Sequence, residues 1–231
     1  MKSNAYSFSY YLAIFIILFI LIFALLVVSP AQDCFFDFKE KYPYLYEDIH
    51  GDKQIYRQLI NEIVSVTGIS RIDEPNIPIK SRFSERTSLI WLNANESDIR
   101  EYVRGNIQIL PLFYDGKYYS NISYFPQLMN ILYKYNNILN VFFWKMPINS
   151  AFLQHVSTSI ISGHKVLRYT LAINPLTVME EECSLWVNGK IKRLAFDDYV
   201  LWNINKEFSL HNNTNTDDDI LFLNIDLEEC K

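Results

Sequence analysis

The chain has 231 residues, a formal charge of −5, and apolar side chains at half its positions. That length suffices for one domain with a short extension, and so much apolar surface excludes disorder over most of it. Six Gly and eight Pro exclude collagen-like and low-complexity classes. With 21 basic against 26 acidic residues and no long basic run, no nucleic-acid partner is expected.

The first element is Leu12 to Val28, a run of apolar residues without a charge. With Tyr10 and Tyr11 at one end and Ser29-Pro30 at the other, it nearly reaches the ~20 residues that span a bilayer. It reads as a signal anchor, because it exceeds the ~7–15 residues usual in a cleaved signal; the small residues at Ser29-Pro30-Ala31 keep cleavage open. The expected organisation is a tail at 1–11, a transmembrane helix at 12–29, a juxtamembrane linker at 30–50 and one domain at 51–231. Lys2 is the only charge before the helix, so the charge rule for orientation is weak. Sequons at Asn95, Asn121 and Asn212 favour a lumenal or extracellular C-terminal domain, glycosylated at those residues. The apolar run makes the membrane an expected partner.

From Asp52 to Val66 apolar residues recur at a spacing of four (Ile55, Leu59, Ile63; Tyr56, Ile60, Val64), which predicts an amphipathic helix ended by Gly68. Residues 69–88 read as a loop. Leu89–Asn93 and Ile107–Phe113 read as strands, with a turn at Asp115-Gly116. Pro126 opens a helix whose inner face is Leu128, Ile131, Leu132 and Tyr135. Beyond Leu139 strand-like runs follow one another: 140–145, 151–154, 157–161, 165–173, 183–187, 191–196, 199–204 and 220–225. Asn188-Gly189 is a two-residue hairpin signal. This predicts a mainly β domain with flanking helices, a sandwich or barrel.

Several stretches, in order, resemble the aspartyl/asparaginyl β-hydroxylase family of iron- and 2-oxoglutarate-dependent oxygenases. They are Leu110-Pro111-Leu112-Phe113-Tyr114-Asp115-Gly116, Ser123-Tyr124-Phe125-Pro126, and Phe143-Trp144-Lys145-Met146-Pro147 with His155 eight residues on. Then come Val166-Leu167-Arg168-Tyr169-Thr170-Leu171, Phe196-Asp197-Asp198, and the closing Asp217-Asp218-Asp219-Ile220-Leu221-Phe222-Leu223-Asn224-Ile225-Asp226. The resemblance covers about 120 residues in order. It implies a double-stranded β-helix (a cupin-like jelly roll) with the metal at the barrel mouth, and it includes membrane-anchored members. It implies Fe(II) and 2-oxoglutarate as cofactors, and hydroxylation of a protein Asp or Asn side chain as the reaction. The first iron ligand would be His155, and Arg168 would contact 2-oxoglutarate.

The sequence departs from the family at several of these positions. Trp202 stands at the family spacing of the second ligand, and tryptophan cannot ligate iron; an insertion would move that role to His211. Ile220 replaces the arginine that clamps the distal carboxylate, and Ile cannot supply its bidentate fork. Arg168, Lys165 or Lys192 would have to substitute. His164, beside Gly163, reads as a turn residue. Two outcomes are therefore carried forward: a diverged dioxygenase, or a binding or structural protein that kept the fold and lost the site. Abundant Ile, Asn, Tyr and Phe suggest an AT-rich genome such as that of a large DNA virus, and with the anchor they suggest a viral surface component. The three cysteines are Cys34, Cys183 and Cys230; Cys34 and Cys230 flank the domain and could pair across it, with Cys183 on a strand.

Overall fold

The computed structural model describes residues 34–68, 89–96, 100–157, 165–174, 183–214 and 219–229. The chain divides into Met1–Asp33 and Cys34–Lys231. The expected membrane helix at 12–29 lies outside the described residues, as do His164 and Cys230. Among the described residues no helix is long and apolar enough to cross a membrane.

In chain order the elements begin with strand β1 (Phe35–Phe36), helix α1 (Phe38–Lys41), helix α2 (Pro43–Tyr46) and a π-helical turn at Glu47–Gly51. This segment was expected to be a linker. Instead it is part of the folded unit: β1 pairs with a later strand through Phe35↔Trp202 and Phe36↔Leu201, and Phe38, Leu45 and Ile49 are buried. Its apolar side chains explain the difference, since a solvated linker would leave them in water.

Helix α3 (Lys53–Thr67) follows the predicted amphipathic pattern and buries Leu59, Ile60, Ile63 and Val64. Asp52 caps it by accepting from the N–H groups of Gln54 and Ile55 at 2.6 and 3.2 Å. Gly68 ends it in the left-handed region at φ 70°, donating to the Val64 carbonyl, a conformation that costs a glycine little. Strands β2 (Leu92–Asn93), β3 (Val103–Arg104), β4 (Gln108–Tyr114) and β5 (Lys117–Tyr118) precede helix α4 (Pro126–Leu132). Helix α4 lacks a cap of its own. Glu62 of α3 supplies one, accepting from Gln127 and Leu128 N–H at 2.8 and 3.1 Å, and so fixes one helix against the other.

Eight further strands complete the domain: β6 (Ile138–Met146), β7 (Ser150–His155), β8 (Val166–Ala172), β9 (Cys183–Val187), β10 (Lys190–Arg193), β11 (Tyr199–Asn203), β12 (Phe208–Asn212) and β13 (Ile220–Glu228). They form two antiparallel sheets. One runs β1-β11-β8-β13-β6-β4-β2, with β5 on β4; the other runs β10-β9-β12-β7-β3. Counting from β6 as the first of eight, the central orders are 6-3-8-1 and 5-4-7-2. That is the strand order of a double-stranded β-helix, and it establishes a jelly roll, the form that the resemblance implied for the expected sandwich or barrel. Strand β12 is an addition to the predicted series. Asn188 and Gly189 turn β9 into β10 at φ 44° and 85°, the two positive angles that a type I′ hairpin demands.

Side chains of the first sheet alternate between two cores, as the two-residue period of a strand requires. Val141, Phe143, Leu167, Tyr169, Leu171, Leu201, Leu221, Leu223, Ile225 and Leu227 face the helices. Phe142, Trp144, Met146, Val166, Ala172, Val200, Trp202, Ile220 and Phe222 face into the roll, where they meet Phe152, Leu185, Val187, Phe208 and Leu210 of the second sheet.

Candidate functional site

His155 ends β7 at the mouth of the roll and is 7% exposed. Its Nδ1 lies 2.6 Å from the Leu153 carbonyl oxygen. A carbonyl only accepts, so Nδ1 carries the proton and Nε2 keeps its lone pair. Tyr102 stacks on the ring at 4.8 Å and 14°, and Phe208 packs at 4.5 Å. Burial pushes the imidazole pKa below its ordinary value and the Arg168 charge adds to this, against the bond to Leu153. The ring is therefore neutral at neutral pH.

The second expected ligand does not join it. On β12 the residue opposite His155 is Phe208, while His211 lies opposite Ala151. Phe208 and Leu210 point into the roll, so His211, an odd number of residues from both, belongs to the other face. Its Nε2 lies 3.1 Å from the Ser209 hydroxyl. Burial, and after it the charge of Arg104, lowers its pKa. From Phe208 to His211 is about 10 Å along the strand. No insertion in the loop before β12 brings His211 to His155, because the alternation of the strand turns it away. Among the described residues there is no group of three His, Cys, Asp or Glu placed to hold a metal.

Arg168 points into the roll and is engaged there. Directly across the ladder from β8, Arg168 faces Asp226 and Thr170 faces Asn224 on β13. The guanidinium donates from Nε to Asp226 Oδ1 at 2.5 Å and from Nη2 to Oδ2 at 2.9 Å. Asn140 Nδ2 also donates to Oδ2, at 2.9 Å. The guanidinium carbon sits 4.9 Å from the ring centres of Phe142 and Trp144 and 5.5 Å from that of Trp202. Arg168 is 3% exposed and Asp226 not at all. A second link runs beside this pair: Trp202 Nε1 donates to Thr170 Oγ1 at 3.0 Å, and Thr170 donates to Asn224 Oδ1 at 2.8 Å. The interior thus holds two adjacent hydrogen-bonded groups beside aromatic rings, and the paired, hydrogen-bonded geometry of Arg168 and Asp226 offsets the desolvation of a buried ion pair.

Iron(II) and 2-oxoglutarate do not fit these residues. A ferrous site in this setting needs a second imidazole on the facing strand, and a phenyl ring stands there. The dianion needs an unshared cation. Asp226 holds Arg168, Ile220 is a buried apolar residue, Lys165 pairs with Glu229 at 2.6 Å, and Lys192 lies on the fully exposed strand β10.

The expected glycosylation sites fare unequally. Asn121 is 1% exposed; its Nδ2 donates to the carbonyls of Ile90 and Pro111 at 3.2 and 3.1 Å, and its Oδ1 accepts from Ile90 N–H. Asn212 is fully buried, with Nδ2 donating to the carbonyls of Met146 and Pro147 at 2.9 and 3.0 Å. A glycan joined to either nitrogen breaks these bonds and displaces core. Both amides act as backbone ties, which corrects their expected role. Asn95 is only part-buried, and its Nδ2 donates to the Gly105 carbonyl at the surface. Cys34 and Cys183 are both buried, and burial pushes the Cys183 thiol pKa up to about 12.

No family model matches the chain, and no curated protein matches it. Among solved structures it is similar to a predicted oxalate decarboxylase from Thermotoga maritima, at 15% identity and a TM-score of 0.39 over 61% of this chain and 94% of that one. It is similar to an oxidoreductase of the 2OG-Fe(II) oxygenase family from Burkholderia pseudomallei, at 9% identity and a TM-score of 0.43 over 55% and 68%. A cupin-2 domain protein from Rhodospirillum rubrum is similar at 10% identity and 0.37 over 62% and 72%. These are distant likenesses of jelly rolls; the strand order carries the fold, and the residues inside the roll carry the chemistry.

Proposed function

We propose that this chain is a non-catalytic jelly-roll module that binds or scaffolds a partner at a membrane, and that its roll interior has become a solid core. The observation that carries this reading is the buried bidentate pair of Arg168 and Asp226, which occupies the cation that a keto acid would need. A second reading, a diverged Fe(II)/2-oxoglutarate dioxygenase acting on protein Asp or Asn side chains, draws support from His155, whose free Nε2 is suited to a metal.

The experiment is iron analysis and 2-oxoglutarate turnover on the full chain and on His155→Ala. The module reading expects neither stoichiometric iron nor turnover in either protein. Iron and turnover in the parent, lost in the variant, would establish the dioxygenase instead.

For placement we propose a single-pass protein anchored by 12–29 with residues 33–231 lumenal or extracellular, in keeping with a viral envelope component. The apolar run and the sequon at Asn95 support it. In eukaryotic cells a glycosidase should shift the protein by one glycan, and Asn95→Gln should abolish the shift. No glycan, together with protease access from the cytosolic side of sealed vesicles, contradicts this orientation.

A further inference from the structure

An open concavity lies on the helix-side face of the first sheet. A cleft of about 490 Å³ opens between α4, β5 and the start of β6, within the range of small-molecule sites. Its floor is apolar, formed by Leu132 and Val141 of the helix-side core with Phe113 beside them. Two of its walls are tyrosines that stand out in solvent, Tyr118 at 59% and Tyr133 at 60% exposure. Their ring centres are 5.8 Å apart and their planes meet at 61°. Phe113 backs Tyr118 at 4.7 Å, which holds that ring in place.

The charge around the cleft is cancelled. Lys134 lies 2.9 Å from Asp48, which also accepts from the Tyr135 hydroxyl at 2.8 Å. The remaining polar groups are neutral: the Tyr118 and Tyr133 hydroxyls and the exposed side chain of Asn136. Phenol hydroxyls both donate and accept, and an amide offers one group of each kind. Leaving large aromatic faces in water is costly unless something covers them.

We propose that this cleft binds a neutral saccharide. A pyranose ring has an apolar face of C–H groups that packs on one tyrosine plane, while its hydroxyls meet the phenols and Asn136 around the rim. The cancelled Lys134–Asp48 pair gives no net charge to attract a phosphate or carboxylate. The corner between the two rings sets the orientation of the sugar. This deepens the binding role proposed above by naming its ligand, and it rests on that role. The two readings fail separately, because the cleft shares no residue with the roll interior.

The test is saturation-transfer NMR and calorimetry on the full chain in a detergent without a sugar headgroup. The probes are diacetylchitobiose, cellotriose and maltotriose, with sialyllactose and a proline-rich decapeptide as comparators. We expect transfer from at least one neutral saccharide, and an affinity loss of about tenfold in Tyr133→Ala and in Tyr118→Ala, the scale of one lost aromatic contact. Tyr133→Phe, which keeps the ring, should lose less. Circular dichroism of the variants should match the parent, since both side chains are exposed. No binding of any neutral saccharide at about 10 mM, binding unchanged in both alanine variants, or binding of the peptide or the anionic sugar alone would overturn the proposal. Iron-dependent turnover would defeat the closed-roll reading and not this one.

Discussion

The two cores of the domain share strands β6, β8, β11 and β13 and hold different kinds of polar group. On the helix side, His50 is set among Phe38, Tyr46, Tyr56, Tyr169 and Tyr199, with ring centres 4.5 to 6.3 Å away, and its Nε2 lies 2.9 Å from the Tyr169 hydroxyl. Burial pushes the His50 pKa down to about 4, so the ring is uncharged at neutral pH, and Asp197 meets the cluster by accepting from the Tyr56 hydroxyl at 3.0 Å. Inside the roll the polar pair is ionic, Arg168 with Asp226. A buried neutral imidazole is sensitive to protons that arrive; a buried ion pair is sensitive to the loss of a partner. Inside the roll, charge is matched across the ladder between β8 and β13, while the helix-side face carries an open cleft.

The largest expected effect breaks the ionic side. Asp226→Ala leaves a buried guanidinium unpaired and should cost about 3–5 kcal/mol in urea unfolding. The double variant Arg168→Met, Asp226→Leu removes both charges and should recover most of that loss. Equal destabilisation by the single and double variants would mean that the pair is not what fills the roll.

The next tests the neutral side by pH. His50 binds a proton in the unfolded chain below about 6.5 but in the folded one only near 4. Stability is therefore fully present above pH 6.5 and falls as pH drops towards 4, where the slope ends. The expected loss is about 2 kcal/mol, less than the full shift implies because the ring keeps some contact with solvent. His155 and His211, both with lowered pKa values, act in the same direction. His50→Gln should flatten most of the dependence between pH 4 and 6.5; an unchanged slope would assign it elsewhere.

A smaller effect tests the second sheet without touching either polar network. Gly189→Ala forces a Cβ into φ 85° and should cost about 1 kcal/mol. It should move the midpoint of thermal unfolding without altering its pH dependence.

Much of this fold was legible in the sequence. The spacing of four in 52–66 gave the helix, and Asn188-Gly189 gave the hairpin, because local backbone preference and side-chain period decide both. Strand β12 was missed: Phe208-Ser209-Leu210-His211-Asn212 is short and carries three polar residues, and its pairing with β7 and β9 is a long-range fact. The same omission left His211 free to be placed beside His155. Once β12 is a strand, its alternation forbids that. The filling of the roll was half visible: Arg168 and Thr170, then Asn224 and Asp226, are polar residues two apart in otherwise apolar strands. Only the register of β8 on β13 shows that they answer one another. The amide ties of Asn121 and Asn212 carried no sequence signal that separates them from surface sequons. That residues 34–50 fold with the domain is not legible in the sequence, because their apolar residues follow no helical or strand period over any length.

The central claim is that the roll interior is a closed core. Trp144 and Trp202 flank the guanidinium within it, so tryptophan fluorescence reports on anything that enters. The most direct measurement is a titration of the full chain with Mn(II), a redox-inert stand-in for Fe(II), together with 2-oxoglutarate. The account predicts no saturable change in tryptophan emission. A saturable change with one-to-one stoichiometry that requires both the metal and the keto acid would contradict it.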